Sequence, residues 1–296
     1  MSGATKIPDW LRPLYPFEPK RFATAGGEMS YLDEGPRSDE AVLMVHGNPT
    51  WSFFYRDVVK ALRGEMRCIV PDHIGCGFSA KPQEWDYTLP NHIANLRALI
   101  DSLGLKRVHL VVHDWGGPIG LGTMLPQAEK LGRVVILNTA AFADTVVPAR
   151  IRLCRAPLIG EALVRGLNGF AWPATWMAVS RPLPADVKRG FLLPYGDWAD
   201  RIATHRFVVD IPSGQGTRTD VALAEIEARL PTLRDHAVSI VWGGADFCFN
   251  DHYFRRWRHL LPQARTRYLS GVGHYLIEDA RETVVEEIRG RILGRL

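Results

Sequence analysis

An aspartate occupies a turn between an apolar strand pattern and a helical pattern, in residues 111–117 with the sequence VVHDWGG. A turn of this kind, the nucleophile elbow, holds its central residue in a strained conformation and needs small neighbours. Gly116 and Gly117 meet that need, although Val112 stands where serine enzymes carry glycine. The central residue, Asp114, carries a carboxylate, which can displace a leaving group from an sp³ carbon and form an alkyl ester. The sequence therefore predicts Asp114 as a nucleophile rather than as a helix cap.

A histidine and two candidate acids follow the aspartate in the chain order of a catalytic triad. His274 comes after the last strand pattern and before the final helical pattern, and we predict that it is the general base. Asp246 comes directly after a strand pattern that ends at Trp242. We predict that Asp246 orients His274 and stabilises its cation, with Asp251 as the competing acid.

Hydrogen-bond donors for an anion lie in two places. Residues 46–49, with the sequence HGNP, follow a strand pattern in a loop that can supply a backbone N–H group to an oxyanion hole. Asn48 can add its side-chain amide, and Trp115 its indole N–H. We predict that these two side chains stabilise a departing anion.

Apolar runs alternate with helical patterns over most of the chain, which is typical of a parallel sheet with crossover helices. Strands are predicted at residues 29–32, 41–45, 67–70, 108–112, 134–137, 238–242 and 266–269. Helices are predicted at residues 53–62, 93–103, 118–125 and 282–293. The predicted fold class is therefore α/β, with a mostly parallel sheet and helices on both of its faces.

The alternation stops after Asn138 and resumes near Val238, which leaves a segment too long for a plain crossover. We predict an inserted helical cap at residues 143–219, with a helical stretch at residues 159–167. The α/β core then consists of residues 1–142 and 220–296. The aromatic residues of this cap suit a hydrophobic substrate, namely Phe170, Trp172, Trp176 and Trp198.

Arginines recur among apolar residues in the predicted cap, at Arg150, Arg152, Arg155 and Arg165. This pattern is typical of a helix on a membrane surface or of a cap helix with a solvated polar face, and we favour the second interpretation.

Composition limits the classes of function. The 296 residues are 46% hydrophobic and 23% charged, as in ordinary globular proteins. The net charge of +4 comes from mixed basic and acidic residues, so we expect no nucleic acid partner. Residues 1–20 resemble neither a signal peptide nor an anchor, and no segment has the length of a membrane span, so a cytoplasmic location is expected. The cysteines, expected as reduced thiols, and the histidines lack ligand spacing, so we expect no metal and no organic cofactor.

The elbow and the HGNP loop resemble those of the haloalkane dehalogenase family of α/β-hydrolases, in which the Asp-Trp pair and the Asn bind the leaving halide. The resemblance covers nearly the whole chain outside the predicted cap. It implies an α/β-hydrolase fold with Asp114 as nucleophile, His274 as base, Asp246 as acid, and Asn48 and Trp115 as the anion-binding pair. With its acid after the seventh strand of the fold and Asn as the second donor, the chain is most similar to the third dehalogenase subfamily.

That subfamily includes the β-lactone decarboxylases of long-chain olefin biosynthesis, and residues 14–19 (LYPFEP) and 138–142 (NTAAF) resemble theirs. The resemblance implies conversion of cis-3,4-dialkyl β-lactones to cis-alkenes and CO₂, and an assembly with a β-lactone synthetase. We prefer this prediction to haloalkane dehalogenation, which needs the same residues and releases halide and a primary alcohol. A non-catalytic ligand receptor is a third alternative, against which the filled catalytic positions argue.

This chain lacks a functional residue of each of two neighbouring families. Epoxide hydrolases with a similar elbow use two cap tyrosines, whereas Tyr195 is the only tyrosine in residues 143–219. Fluoroacetate dehalogenases place arginine after the nucleophile, where this chain has Trp115. For the β-lactone, attack at the ring carbon that bears oxygen and attack at the carbonyl both remain open.

Overall fold

The computed structural model of the protein describes residues 7–144 and 147–296. Its centre is an eight-stranded sheet with the strand order β1-β2-β4-β3-β5-β6-β7-β8. The two pairs that involve β2 are antiparallel, and all other neighbours are parallel. The strands are β1 Lys20–Thr24, β2 Gly27–Glu34, β3 Glu40–Val45, β4 Arg67–Pro71, β5 Arg107–Val112, β6 Leu131–Leu137, β7 Val238–Gly243 and β8 Arg265–Leu269.

Twelve α-helices accompany the sheet in the described part of the chain. They are α1 Arg56–Leu62, α2 Leu89–Ser102, α3 Gly116–Met124, α4 Ala149–Arg155, α5 Ile159–Glu161, α6 Ala171–Met177, α7 Ala185–Leu192, α8 Ile202–Val209, α9 Arg218–Arg229, α10 Asp251–Leu260, α11 Leu276–Asp279 and α12 Arg281–Leu293. A π-helical turn, Ala162–Gly166, follows α5 directly. Short 3₁₀ helices lie at Asp9–Leu11, Ser52–Tyr55, Leu125–Lys130 and Leu230–Asp235.

Two hydrophobic cores lie on opposite faces of the sheet. Alternate residues of β3 enter different cores: Leu43 and Val45 pack with α2 and α3, whereas Val42 and Met44 pack with α1 and α12. A strand buried on both faces must be apolar at nearly every position, which is why the central strands read as continuous apolar runs. The predicted α/β class is confirmed, and each predicted strand lies within an observed one.

The connection between β6 and β7 is long and mainly helical, and we call residues 138–237 the insertion. It carries α4 to α9 and the π turn. The helical stretch predicted at residues 159–167 is confirmed, as the short α5 continued directly by the π turn. Residues 1–6, and residues 145–146 of the predicted cap, lie outside the described residues.

None of the helices in residues 7–144 and 147–296 is long and apolar enough to cross a membrane.

Candidate active site

The turn after β5 places Asp114 at the carboxyl edge of the sheet. Asp114 has a positive φ of 52°, and the N–H of Gly116 donates to the carbonyl of His113. A side chain at position 116 would overlap the carbonyl oxygen of Val45, so this turn requires glycine. Val112 is accommodated because Gly120 of α3 faces it, where a Cβ would come 2.8 Å from Val112 Cγ1.

The two carboxylate oxygens of Asp114 have different surroundings. Oδ1 accepts the backbone N–H of Asn48 at 2.5 Å, and the backbone N–H of Trp115 also bonds to the carboxylate. Oδ2 lies 3.8 Å from Nε2 of His274. Thr139 donates its hydroxyl to the Asp114 carbonyl at 2.5 Å and so ties the elbow to the end of β6. One oxygen is therefore held by the backbone N–H of Asn48, and the other faces the histidine.

His274 and Asp246 form a buried hydrogen-bonded pair. His274 Nδ1 lies 2.7 Å from Asp246 Oδ2, which orients Nε2 toward Asp114. Asp246 Oδ1 accepts the backbone N–H groups of Cys248 at 2.7 Å and Phe249 at 3.1 Å. The competing acid Asp251 instead begins α10 and accepts the hydroxyl of Tyr268 at 2.8 Å. The structure thus brings Asp246, not Asp251, to the histidine.

Burial and nearby charges shift the pKa values of Asp114 and His274, which face each other in this site. Burial raises the pKa of Asp114, although the nearby His274 and the two backbone N–H groups oppose the increase. For His274, burial alone would lower the pKa, but Asp246 and Asp114 outweigh it, and the pKa of His274 is raised. The arrangement favours an imidazolium between two carboxylates.

The two side-chain donors predicted for an anion differ in their present partners. Asn48 Nδ2 donates to the carbonyl of Thr204 on α8 at 3.1 Å, so one of its two hydrogens is already bound. Among the described residues, no hydrogen bond occupies the indole N–H of Trp115. Both side chains line the same cavity as Asp114 and His274. The indole is therefore the freer of the two donors, and the Asn48 amide is tied to the insertion.

A cavity of about 340 Å³ opens beside Asp114, and its lining is mostly apolar. Only one of the aromatic residues predicted to suit a hydrophobic substrate lines this cavity. Phe170 lines the cavity, but Trp172, Trp176 and Trp198 do not, and each of the three is at least 44% exposed. The prediction was wrong for these three tryptophans because hydrophobicity along the sequence does not tell an inward from an outward position. Within the described residues, no three His, Cys, Asp or Glu side chains are grouped to hold a metal ion.

Sequence reasoning gave no role to two residues that support the site. Asn138, directly after β6, donates through Nδ2 to Asp246 Oδ2 at 3.0 Å and to the Gly243 carbonyl at 2.9 Å, and its Oδ1 accepts the Gly243 N–H at 2.7 Å. Thr139 binds the elbow from the same strand end. Polar residues at the carboxyl end of a predicted parallel strand were the signal that could have identified both.

Comparisons with known proteins agree with this geometry. A family model described as alpha/beta hydrolase fold matches residues 40–280. A cis-3-alkyl-4-alkyloxetan-2-one decarboxylase from Shewanella oneidensis is 43% identical over 286 residues, covering 94% of this chain and 89% of that protein. A haloalkane dehalogenase 2 from Mycobacterium bovis is 31% identical over 289 residues, covering 93% of this chain and 95% of that protein.

A solved structure gives the same picture of the fold. A haloalkane dehalogenase loop variant from Bradyrhizobium elkanii superposes with a TM-score of 0.84, covering 94% of this chain and 97% of that one at 24% identity. The resemblance to dehalogenases and β-lactone decarboxylases is confirmed. The chain belongs to the α/β-hydrolase family, among relatives that include both the decarboxylase and the dehalogenase.

Proposed function

We propose that this protein decarboxylates cis-3,4-dialkyl β-lactones to cis-alkenes and CO₂. The observation that carries the proposal is an aspartate at the elbow, lining an apolar cavity, with one oxygen held by backbone N–H and the other facing His274. The relative at 43% identity is named for this substrate class, whereas the relative named as a dehalogenase is at 31%. The proposed roles are nucleophile for Asp114 and orienting acid for Asp246. His274 is proposed to act as a cation in decarboxylation and as the base only in a reaction that activates water.

In the first proposed step, Asp114 Oδ2 attacks the ring carbon that bears the ring oxygen. A bond forms between Oδ2 and that carbon, its bond to the ring oxygen breaks, and the ring oxygen leaves as part of a carboxylate. The carbon is inverted. The Trp115 indole and the second amide hydrogen of Asn48 are the donors proposed for this new carboxylate, and the His274 cation adds positive charge.

In the second proposed step, the bond between the carboxylate and the adjacent ring-derived carbon breaks and CO₂ leaves. Its electron pair forms the double bond while the bond to Asp114 Oδ2 breaks, which regenerates the aspartate. Inversion followed by anti elimination gives a cis-alkene from a cis-lactone. Neither step consumes water or a proton.

Hydrogen bonding within the site favours the ring carbon over the carbonyl as the point of attack. Attack at the carbonyl would create an oxyanion that needs backbone N–H donors. The N–H of Asn48 is already bound to Asp114 Oδ1 at 2.5 Å, and that of Trp115 to the same carboxylate. Attack at the ring carbon by Oδ2 leaves the Asn48 bond to Oδ1 in place, and this bond stabilises the carbonyl oxygen of the ester that forms.

Haloalkane dehalogenation is the second candidate, and the same residues support it. Asp114 would form the same kind of ester with release of halide toward Trp115 and Asn48. A water activated by His274 would then hydrolyse the ester to an alcohol. Unlike decarboxylation, this route consumes water at the aspartate.

The remaining proposals concern organisation. We propose that residues 143–219 act as a cap that closes over the cavity, since Phe170 and α4 contribute to its lining. A cytoplasmic location and a β-lactone synthetase as partner rest on the family resemblance alone.

The test is a paired assay of the wild-type protein and Asp114→Asn, which keeps the size of the side chain and removes the charge. Each is offered a cis-dialkyl β-lactone and, separately, a long-chain iodoalkane, and products are identified by mass. We expect cis-alkene from the lactone with the wild type, and a loss of at least about a thousandfold in the variant. Asp251→Asn is the matched control and should keep the wild-type rate.

Two further results would decide between the candidates. Halide and alcohol from the iodoalkane, with the lactone untouched, would replace the proposal by dehalogenation. Turnover in ¹⁸O-water would then label the Asp114 carboxylate, whereas decarboxylation leaves it unlabelled. A trans-alkene would overturn the sequence of inversion and anti elimination.

A further inference from the structure

Large apolar side chains on the protein surface are concentrated in the insertion. Of the twelve such exposed side chains in the described part of the chain, eight belong to residues 149–209. Leu158 is 84% exposed and Ile159 64%. Scattered single apolar residues are normal on a surface, but a concentration of them marks an interaction site. The eight are Leu153, Leu158, Ile159, Leu167, Trp172, Trp176, Trp198 and Val209.

The same segment carries the net charge of the protein. Residues 143–219 contain ten lysines and arginines and six acidic residues, while the rest of the chain has 26 of each. Arg152 of α4 is exposed and has no carboxylate within 4.0 Å among the described residues. Lys188 lies 5.7 Å from the ring centres of both Trp172 and Trp176. Positive and apolar side chains are therefore neighbours at two places in this segment, Lys188 beside the two tryptophans and Arg152 beside Leu153 in α4.

Several of these side chains lie next to a small buried core of the insertion but are themselves exposed. Cys154 of α4, Val164 of the π turn and Val208 of α8 form a small buried core. Leu153 lies beside Cys154 but is 53% exposed, and Leu158 begins the turn into α5. We call Arg152, Leu153, Leu158, Ile159, Leu167, Trp172 and Trp176 the outer face.

The outer face adjoins the entrance of the cavity. Helix α4 lines the cavity with Ile151 and Cys154, and the half-exposed Leu153 belongs to both the lining and the outer face. A molecule that enters beside α4 therefore passes directly from the outer face to the cavity. For a substrate with two long alkyl chains this matters, because such a molecule dissolves poorly in water and well in a bilayer.

We propose that the outer face binds the surface of an anionic lipid bilayer. Leucine and tryptophan side chains can enter the headgroup region, and arginine and lysine bind anionic headgroups. The chemistry therefore matches a lipid surface at both its apolar and its charged positions. The solvated polar face favoured from the sequence accounts for Arg152 but not for Leu158 or Ile159. The docking stands on these surface residues, and only its use in delivering a β-lactone rests on the proposed function.

The test is flotation of the full-length protein with lipid vesicles. One set is phosphatidylcholine alone, and in the other about a third of the lipid is phosphatidylglycerol. We expect partitioning to be at least about tenfold stronger on the anionic vesicles. Arg152→Glu should weaken partitioning to anionic vesicles by about tenfold, since it reverses a charge at the surface. The double variant Leu158→Ser/Trp172→Ser should weaken partitioning to a similar degree.

Matched controls change the same residue types outside the insertion. Arg265→Glu alters an exposed arginine of β8, and Leu296→Ser an exposed leucine at the end of the chain. Both should bind anionic vesicles as the wild type does. Equal loss in the controls, or no binding by the wild type, would overturn the proposal. So would a wild-type dimer in sedimentation that Leu158→Ser dissociates, without vesicle binding, because a second copy would then cover the face.

A parallel activity measurement separates this proposal from the proposed function. The lactone is supplied either within anionic vesicles or dispersed in detergent, and alkene is measured with the wild type and Arg152→Glu. We expect Arg152→Glu to lose activity about tenfold with vesicles and to keep it in detergent. Vesicle binding without alkene from either supply would leave the docking in place and remove the decarboxylase.

Discussion

The carboxyl edge of the sheet buries polar groups, whereas the outer face of the insertion exposes apolar groups. At the sheet edge, the buried Asp246 carboxylate accepts four hydrogen bonds, from His274, Asn138, Cys248 and Phe249. On the outer face, leucine and tryptophan side chains are exposed to solvent. One region satisfies its polar groups in the interior, and the other leaves apolar groups outside.

The difference indicates that the two regions have different functions, stabilisation of charge at the sheet edge and admission of substrate at the outer face. Charges that form during a reaction are best stabilised by donors fixed beforehand in a dry environment, which the ends of buried strands provide. A substrate with alkyl chains must be admitted from outside, and apolar surface near the entrance suits that task. Substitutions at the sheet edge should therefore change rate and stability together, whereas those on the outer face should change stability by about 1 kcal/mol at most and leave the rate on dispersed substrate unchanged.

The largest effect on stability is expected from Asn138→Ala. The substitution removes the acceptor and donor that pair with the Gly243 backbone, and the bond to Asp246. Buried groups left without partners cost about 3 kcal/mol in total, so the free energy of unfolding should fall by about that amount. The alkene-forming rate should drop by about tenfold or more, because Asp246 no longer holds His274 in one orientation. Urea unfolding and steady-state rates measure both.

Asn168→Gly is the matched change in the insertion. Asn168 has a positive φ of 53°, and its amide makes a single long contact of 3.5 Å with the Tyr195 carbonyl. Glycine accepts that backbone conformation, so stability should change by less than about 0.5 kcal/mol. A loss as large as that of Asn138→Ala would remove the proposed contrast between the two regions.

The pH dependence of the rate tests the electrostatics of the sheet edge. Asp114 must be ionised to act as a nucleophile, and burial raises its pKa above the ordinary 3.8. As the pH falls through this raised pKa, kcat/KM should decrease by about tenfold per pH unit. The midpoint of the acid limb should therefore lie above pH 3.8. A profile measured where circular dichroism shows the protein folded, with a midpoint at or below 3.8, would contradict the raised pKa.

Much of the catalytic edge could be predicted from the sequence because each part follows directly after an apolar strand pattern. Asp114, Asp246 and Asn48 come after β5, β7 and β3, and parallel strands bring their carboxyl ends to one edge. His274 follows β8 in the same way. Such positions depend on local periodicity and on a general property of parallel sheets.

Other features depend on tertiary contacts that no local pattern contains. Strand β1 was missed because its side chains are only partly buried, so its residues lack a clear apolar alternation. The bonds of Asn138 to Gly243 and Asp246 join residues more than a hundred positions apart. The outward orientation of Trp172 and Trp176 is set by how the insertion packs, which the sequence pattern leaves open. The part that could not be predicted is thus mainly the packing within the insertion and the hydrogen bonds that support Asp246.

The effect that separates the two regions most directly is expected from Leu158→Gly. Leu158 has φ 62° and ψ −53°, and the N–H of Ile159 donates to the Pro157 carbonyl at 2.6 Å across it. This γ-turn with positive φ is strained for a residue with a Cβ, by about 1–3 kcal/mol. Glycine removes the strain but gives the unfolded chain more freedom, at a cost of about 0.4–1 kcal/mol. The net gain in stability should be about 1 kcal/mol, or a melting temperature higher by about 2 °C.

Ile159→Gly is the control, because Ile159 is also apolar and exposed but is the first residue of α5. In a helical position glycine should lower stability by about 1 kcal/mol. Equal losses in both variants, measured by thermal unfolding, would show that Leu158 is not strained. If Leu158→Gly is instead more stable than the wild type while its partitioning to anionic vesicles falls, the leucine does not serve the fold. Its 84% exposed side chain would then be kept at a conformational cost for what it contacts outside the protein.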